Sequence, residues 1–207
     1  MIRRSQKSRV PFVEIFYGET PIDISDLLVS GVSNRADLNR VEAENIRKTL
    51  VKYFGGDSIK DVASFDFSWV QALHCEMFGE VWAWAGKFRS RDLNIGVPWQ
   101  HIYENLYNLI EDLRFWECNG VDILEQAVRL HHAAVQIHPF LNGNGRWARM
   151  LSNIWLAVHL APIVDWPDPW IGDSSPIRHE YLAALKAGDQ GDLEPLMAIH
   201  RRYLDTD

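Results

Sequence analysis

His138 to Arg149, reading HPFLNGNGRWAR, gathers an imidazole, Pro139, two glycines flanking Asn144, and two arginines three residues apart. An imidazole titrating near neutrality can take a proton from an incoming hydroxyl. Gly143 and Gly145 permit positive φ and close backbone approach, so a helix starting there points its unpaired N–H groups at whatever occupies the loop. That is a cradle for an anion. Arg146 adds a planar fork suited to phosphate oxygens, and Arg149, at i+3, projects from nearly the same face. Two cations at a helix N-terminus gain nothing from the macrodipole, which makes a bound polyanion the simpler reason for them. The structural alternative is a capping histidine, an ordinary turn and solvated arginines, and spacing alone leaves both open. The pattern is not a P-loop, because no Lys follows the second glycine, and not GxGxxG, because Ala148 stands where the third glycine belongs.

Two helices must position this stretch. Apolar residues recur at helical spacing from Asp122 to Ile137 (Ile123, Ala127, Val128, Leu130, Ala134, Val135), and Pro139 ends that helix beside His138. Trp147, Met150, Leu151, Ile154, Trp155 and Val158 mark a second helix starting near Asn144 to Arg146. Further helices are predicted over Ile102 to Trp116, Trp69 to Phe78, from Ser175-Pro176 through Tyr181, Leu182 and Leu185, and over Leu193 to Leu204, with an interruption at 188–192. From Asp37, the residues Leu38, Val41, Ile46, Leu50 and Phe54 suit an amphipathic helix, capped by Asn34 or Asp37 and closed by Gly55-Gly56. Its Glu42, Glu44 and Asn45 read as a solvated acidic face. RDLNIGVPWQHI, with Gly96 and Pro98, reads as a short hairpin or flap. Residues 1–36 read as an extended lead-in, and 37–207 as one mainly α domain.

With 207 residues, 47% of them apolar, the chain can bury one substantial core. Nine tryptophans suggest a well-filled interior with aromatic surface grooves. A net charge of −7 argues against general nucleic-acid binding. Cys75 and Cys118 lack metal-ligand spacing and read as ordinary buried thiols in a reducing compartment. No HExxH or HxH pattern appears, and the His131–His132 pair reads as facing the joint or solvent. The basic N-terminus has no apolar h-region and no window approaches a membrane span, so a cytoplasmic protein is expected.

HPFLNGNGRWAR resembles the signature HPFx[D/E]GNGRxxR of the Fic (filamentation induced by cAMP) family, departing only at Asn142. The resemblance implies a helical bundle with a β-hairpin flap over the active site. It also implies transfer of AMP from ATP to a Ser, Thr or Tyr hydroxyl of a target protein. His138 would be the base. Gly143, Asn144, Gly145, Arg146 and Arg149 would hold phosphates, and Leu93, Asn94, Ile95 and Gly96 would meet the nucleotide, with the target bound along 93–99. Tyr181 and Asp189 resemble the pair that borders the adenine. Mg²⁺ would bridge phosphates, with Asn142 in the place of its usual acidic ligand. The family's inhibitory motif [S/T]xxxE[G/N] is matched at Glu44 and Asn45 and missed at Arg40, which assigns the helix at about 37–54 as inhibitory and pairs Glu44 with Arg149. Inhibition within one chain and across a homodimer both stay open. TPIDISDLL followed by RADLNRVEAENI resembles the subgroup called mobile mystery protein B, whose members tend to be encoded beside a helix-turn-helix protein. Because Doc toxins, with Lys at the position of Asn142, transfer a phosphate instead, phosphotransfer is the runner-up activity and a non-catalytic nucleotide-binding module the third.

Overall fold

The computed structural model describes residues 24–56, 59–167 and 175–205. Among them run seven α-helices: α1 Arg35–Phe54, α2 Phe67–Phe78, α3 Ile102–Cys118, α4 Ile123–Ile137, α5 Asn144–Val158, α6 Pro176–Gly188 and α7 Glu194–Arg202. The starts follow local chemistry. Asn34, Asp66 and Asp122 each accept a first-turn amide hydrogen from Asp37, Trp69 and Glu125, respectively, satisfying donors that a helix start leaves orphaned. Pro176 opens α6 with its φ already set.

Helices α4 and α5 lie together at the centre. Helix α3 covers α4, α2 packs on α5, and α7 packs on α4 and pairs with α6. Trp147, Leu151, Ile154 and Leu156 of α5 are buried with Leu130 and Ala134 of α4, each large side chain contributing about 1.5–3 kcal/mol of transfer free energy. The buried indoles also find acceptors: Trp147 Nε1 donates to the Val70 carbonyl at 2.9 Å and Trp155 Nε1 to Gln126 Oε1 at 3.2 Å. This anchoring fixes the N-terminus of α5 relative to the C-terminus of α4, the joint that carries the motif.

Four expectations are corrected. Helix α1 buries Leu38, Glu42, Asn45, Thr49 and Tyr53, while Leu50 is 41% exposed. Of the predicted apolar stripe, Leu38 is buried and Val41, Ile46 and Phe54 pack partly buried against the core, so what is overturned is the solvated acidic face: Glu42 and Asn45 are buried in the docked one. No strand occurs among the described residues, so the flap is not a hairpin; the 90–98 stretch is a run of bends, closed where Asp92 Oδ1 accepts from the Trp99 amide at 2.8 Å. Gly96 at φ 96° and Pro98, which has no N–H, break the ladder such a hairpin needs. Both Cys75 and Cys118 are exposed. His131 faces neither joint nor solvent, being fully buried.

Residues 1–23 of the predicted lead-in lie outside the described residues. Its end is attached: Leu27 bridges antiparallel to Trp82, and the Leu28 amide donates to Val81 O at 2.8 Å. No helix of the described residues is long and apolar enough to cross a membrane.

Candidate active site

His138 caps α4 in the left-handed region, φ 52° and ψ 58°, its own amide donating to Ala134 O at 3.2 Å. A non-glycine residue there is strained, and the strain sits at the residue expected to do chemistry. The residue is 8% exposed. Burial, helped by the Arg89 guanidinium, lowers its pKa to about 4, so it is neutral at pH 7 and able to accept a proton.

The loop after it is held from within. Asn144, buried, accepts from the Phe140 amide and donates to the Phe140 carbonyl, both at 2.9 Å. Its side chain is thus spent on shaping the turn. Gly143, at φ 79°, is required twice over: a Cβ would also lie 2.7 Å from Phe78. Beside it, His74 Nε2–H donates to Asn142 O at 3.0 Å while its Nδ1 accepts from the Gly86 amide at 3.0 Å. His74 also stacks on Phe140 at 3.6 Å, and burial holds its pKa down at about 3. It is a fixed neutral strut that periodicity alone cannot single out. Gly145 differs from Gly143, since a Cβ there would meet nothing nearer than the Tyr181 hydroxyl at 3.9 Å. The first-turn amides of α5 have no intrahelical acceptor, and the Gly143 amide donates to Asn142 Oδ1 at 2.6 Å.

Arg146 does not extend into solvent. Its guanidinium lies 4.7 Å over the Phe78 ring and donates to Glu42 Oε2 at 2.7 Å. Glu42, with its side chain 5% exposed, takes a second hydrogen bond from Trp82 Nε1 at 2.6 Å. Arg149 lies 5.7 Å from the Trp166 ring and 5.9 Å from that of Tyr181. Two residues after Glu42, the Glu44 side chain is 53% exposed and pairs with Arg47 of its own helix at 2.9 Å. Positions 42 and 44 project about 200° apart on a helix, so one reaches the motif and the other cannot.

A profile of the Fic/DOC family matches residues 64–156. That stretch, which holds the whole 138–149 motif, is similar to the Fic/DOC family. Over 126 residues the chain is 32% identical to protein adenylyltransferase fic-1 of Caenorhabditis briggsae, an alignment covering 59% of this chain and 24% of that protein. The chain thus spans about a quarter of the curated relative it matches there. Fic-1 of C. elegans superposes with a TM-score of 0.66 at 23% identity, over 86% of this chain and 51% of that one. BepC of Bartonella tribocorum, solved with bound AMPPNP, superposes with a TM-score of 0.62 at 19% identity, over 86% of this chain and 90% of its own. The fold is mainly α and Fic-like.

Within and around the Fic segment, the remaining predicted residues fall as follows. Gly96 lies against His138, where a Cβ would approach His138 Cβ to 2.6 Å. Leu93 is half-buried, while Asn94 and Ile95 are exposed beside it. Tyr181 is buried, its hydroxyl 2.9 Å from His131 Nε2. Asp189 caps α6 and accepts from His132 Nε2 at 3.1 Å and Gln136 Nε2 at 3.4 Å. His132 and Gln136 line a groove of about 290 Å³ between α3 and α4. Asn45 bridges α1 to the end of α2, donating to Glu76 O at 2.8 Å and accepting from the Glu80 amide at 3.0 Å.

Mg²⁺ finds little here in the protein's own atoms. Asn142 offers one neutral oxygen, already accepting from Gly143 N–H, and hard divalent cations favour charged oxygens. The residues present do not make a magnesium site by themselves. Replacing Asn142 with Asp adds the missing charge, and Mn²⁺ affinity measured by calorimetry with ATP present should tighten about tenfold, or roughly 1.4 kcal/mol. Unchanged affinity would place position 142 outside any metal site.

Proposed function

We propose that this protein transfers AMP from ATP to a hydroxyl side chain of a target protein, and that α1 restrains it. The acceptor oxygen attacks the α-phosphorus, its bond to the β-bridging oxygen breaks, pyrophosphate leaves, and His138 takes the hydroxyl proton. The α5 N-terminus and Arg146 hold phosphate oxygens, and Arg149 orients the distal phosphate. The target docks along 93–99. The observation that carries this reading is a neutral, backbone-strained imidazole six residues before a helix start at whose Gly145 an added Cβ would meet nothing nearer than 3.9 Å. The fic-1 relatives, named as protein adenylyltransferases, support the same reaction. Incubation with α- and with γ-labelled ATP tests it: label retained on protein only from the α position supports AMP transfer. Retention only from the γ position establishes the phosphotransfer that a non-acidic residue at 142 favours.

Restraint runs through Glu42. While its carboxylate holds Arg146, that guanidinium is unavailable to a phosphate. A charge-assisted bond of this kind is worth about 1.5–3 kcal/mol, a factor of roughly 10–100 in triphosphate affinity. Helix α1 is held by apolar packing of Leu38 and Tyr53 and by polar contacts, of which the Glu42–Arg146 pair is one that a phosphate can replace. Glu42→Gln keeps an acceptor for Trp82 Nε1 and removes the charge; ATP affinity and labelling should both rise by that factor. Glu44→Gly should leave them unchanged. The reverse pattern would return the inhibitory role to the residue picked out by the motif.

A further inference from the structure

Arg89 carries a guanidinium whose side chain is 0% exposed. Withdrawing such a charge from water costs several kcal/mol unless its donors are matched, and here they are matched by backbone carbonyls. Nε donates to His138 O at 2.7 Å, Nη1 to Arg91 O at 3.0 Å, and Nη2 to Val97 O and, at 3.4 Å, to Ile137 O. The Arg89 amide adds a bond to Pro139 O at 2.9 Å, and Asp92 Oδ1 lies 3.8 Å from Nη1.

These acceptors belong to two places. Ile137 O and His138 O are terminal carbonyls of α4, left without intrahelical donors by the left-handed turn and lying at the negative end of the helix dipole. Arg91 O and Val97 O flank the bend that lies over His138. A lysine, with one compact ammonium, cannot span both sets as a planar fork does. The contact is close: a Cβ on Gly96 would lie 2.6 Å from His138 Cβ and 2.9 Å from Arg89 Nη2. With no strand pairing in this stretch, one side chain supplies most of the hydrogen bonds that hold it to α4, joined by the Val97 amide donating to Ile137 O at 3.4 Å.

We propose that Arg89 is a positioning residue that clamps the 90–98 segment to the turn bearing His138, so that alignment of the acceptor hydroxyl depends on a side chain that touches neither substrate. The inference rests on the reading of His138 as base and of 93–99 as the acceptor's docking edge. The phosphate cradle is built separately, by Asn144 and His74.

Arg89→Lys and Arg89→Met in the full chain test the clamp. The expected result is unchanged ATP affinity by calorimetry, together with a fall of about 100-fold in kcat/KM for the acceptor, divided between a raised KM and a lowered kcat. Exchange of the Val97 amide hydrogen should speed at least tenfold in both variants, and the His138 imidazole should titrate at higher pH in the Met variant, with Lys shifting it less. Protected Val97 exchange with unaltered acceptor kinetics overturns the proposal. So does loss of ATP affinity in step with faster exchange throughout α4 and α5, which would mark Arg89 as general scaffold. If the wild type transfers nothing from ATP, the proposed reaction fails while the exchange and titration readouts still decide whether the clamp exists.

Discussion

Replacing His138 with Asn lowers group transfer by roughly 10²–10⁴-fold, the range a positioned general base supplies, while ATP binding and melting temperature stay close to wild type. Asn is the informative replacement because it tolerates the left-handed backbone that His138 adopts and keeps the amide bond to Ala134 O. Ala at φ 52° would mix lost chemistry with added strain. The pH profile sharpens the test. His138 must be neutral to accept a proton, and with its pKa lowered to about 4 the activity of the free protein, read as kcat/KM, is flat near neutrality and falls only as pH approaches that value. A bound triphosphate places negative charge beside the imidazole and favours its protonated form, so the acid limb of kcat lies at higher pH than that of kcat/KM. Retained transfer in the Asn variant, or coincident limbs, would remove the proton-accepting role from His138.

The helices were legible where apolar side chains carry the periodicity. Both α4 and α5 pack through Leu, Ile, Trp and Ala at the expected spacing, so the joint between them, and with it the motif, stands where the pattern puts it. Helix α1 shows the opposite case. Its fully buried residues, 38, 42, 45, 49 and 53, have a helical period, yet three of the five are polar, and a search for apolar recurrence finds Leu38 and the partly buried Val41, Ile46 and Phe54 beside them but misses the polar ones. The signal that does separate Glu42 from Glu44 is rotational: Glu42 shares a face with Leu38 and Tyr53, and Glu44 does not. A linear motif match ignores that angle. Arg89 gives no comparable signal, because its partners are main-chain carbonyls at 91, 97, 137 and 138 that any sequence supplies. The bend over His138 defeats local reading for the same reason, being held by a side chain reaching across the fold rather than by cross-strand pairing.

Lowering the pH from 7 to 5.5 should cost this fold on the order of 5 kcal/mol, from four buried histidines acting together. Burial first, then nearby cations or histidines, keeps their pKa values down: His74 at about 3, His138 and His200 at about 4, and His131 well below its ordinary value. Three of them are hydrogen-bonded in the neutral form. His200 Nδ1–H donates to Leu196 O at 2.9 Å, His131 Nδ1–H donates to His200 Nε2 at 3.1 Å, and the Tyr181 hydroxyl donates to His131 Nε2 at 2.9 Å; His74 bridges Asn142 and Gly86. In the unfolded chain each titrates near the ordinary histidine value of about 6.5, so below that pH the unfolded state binds protons that the native state refuses. Stability from these groups is therefore fully present above about pH 6.5 and drains away as pH falls toward the native values, at about 1.4 kcal/mol per pH unit for each residue. Against a typical total of about 5–15 kcal/mol, acid unfolding should be steep and should occur above pH 4. Urea denaturation at pH 7 and 5.5 measures the loss, and His200→Gln should remove about a quarter of the slope whatever it does to stability at pH 7. A stability that stays flat across that interval would mean that these imidazoles are hydrated or already charged in the folded protein, and the neutral state of His138 on which proton transfer depends would lose its physical basis.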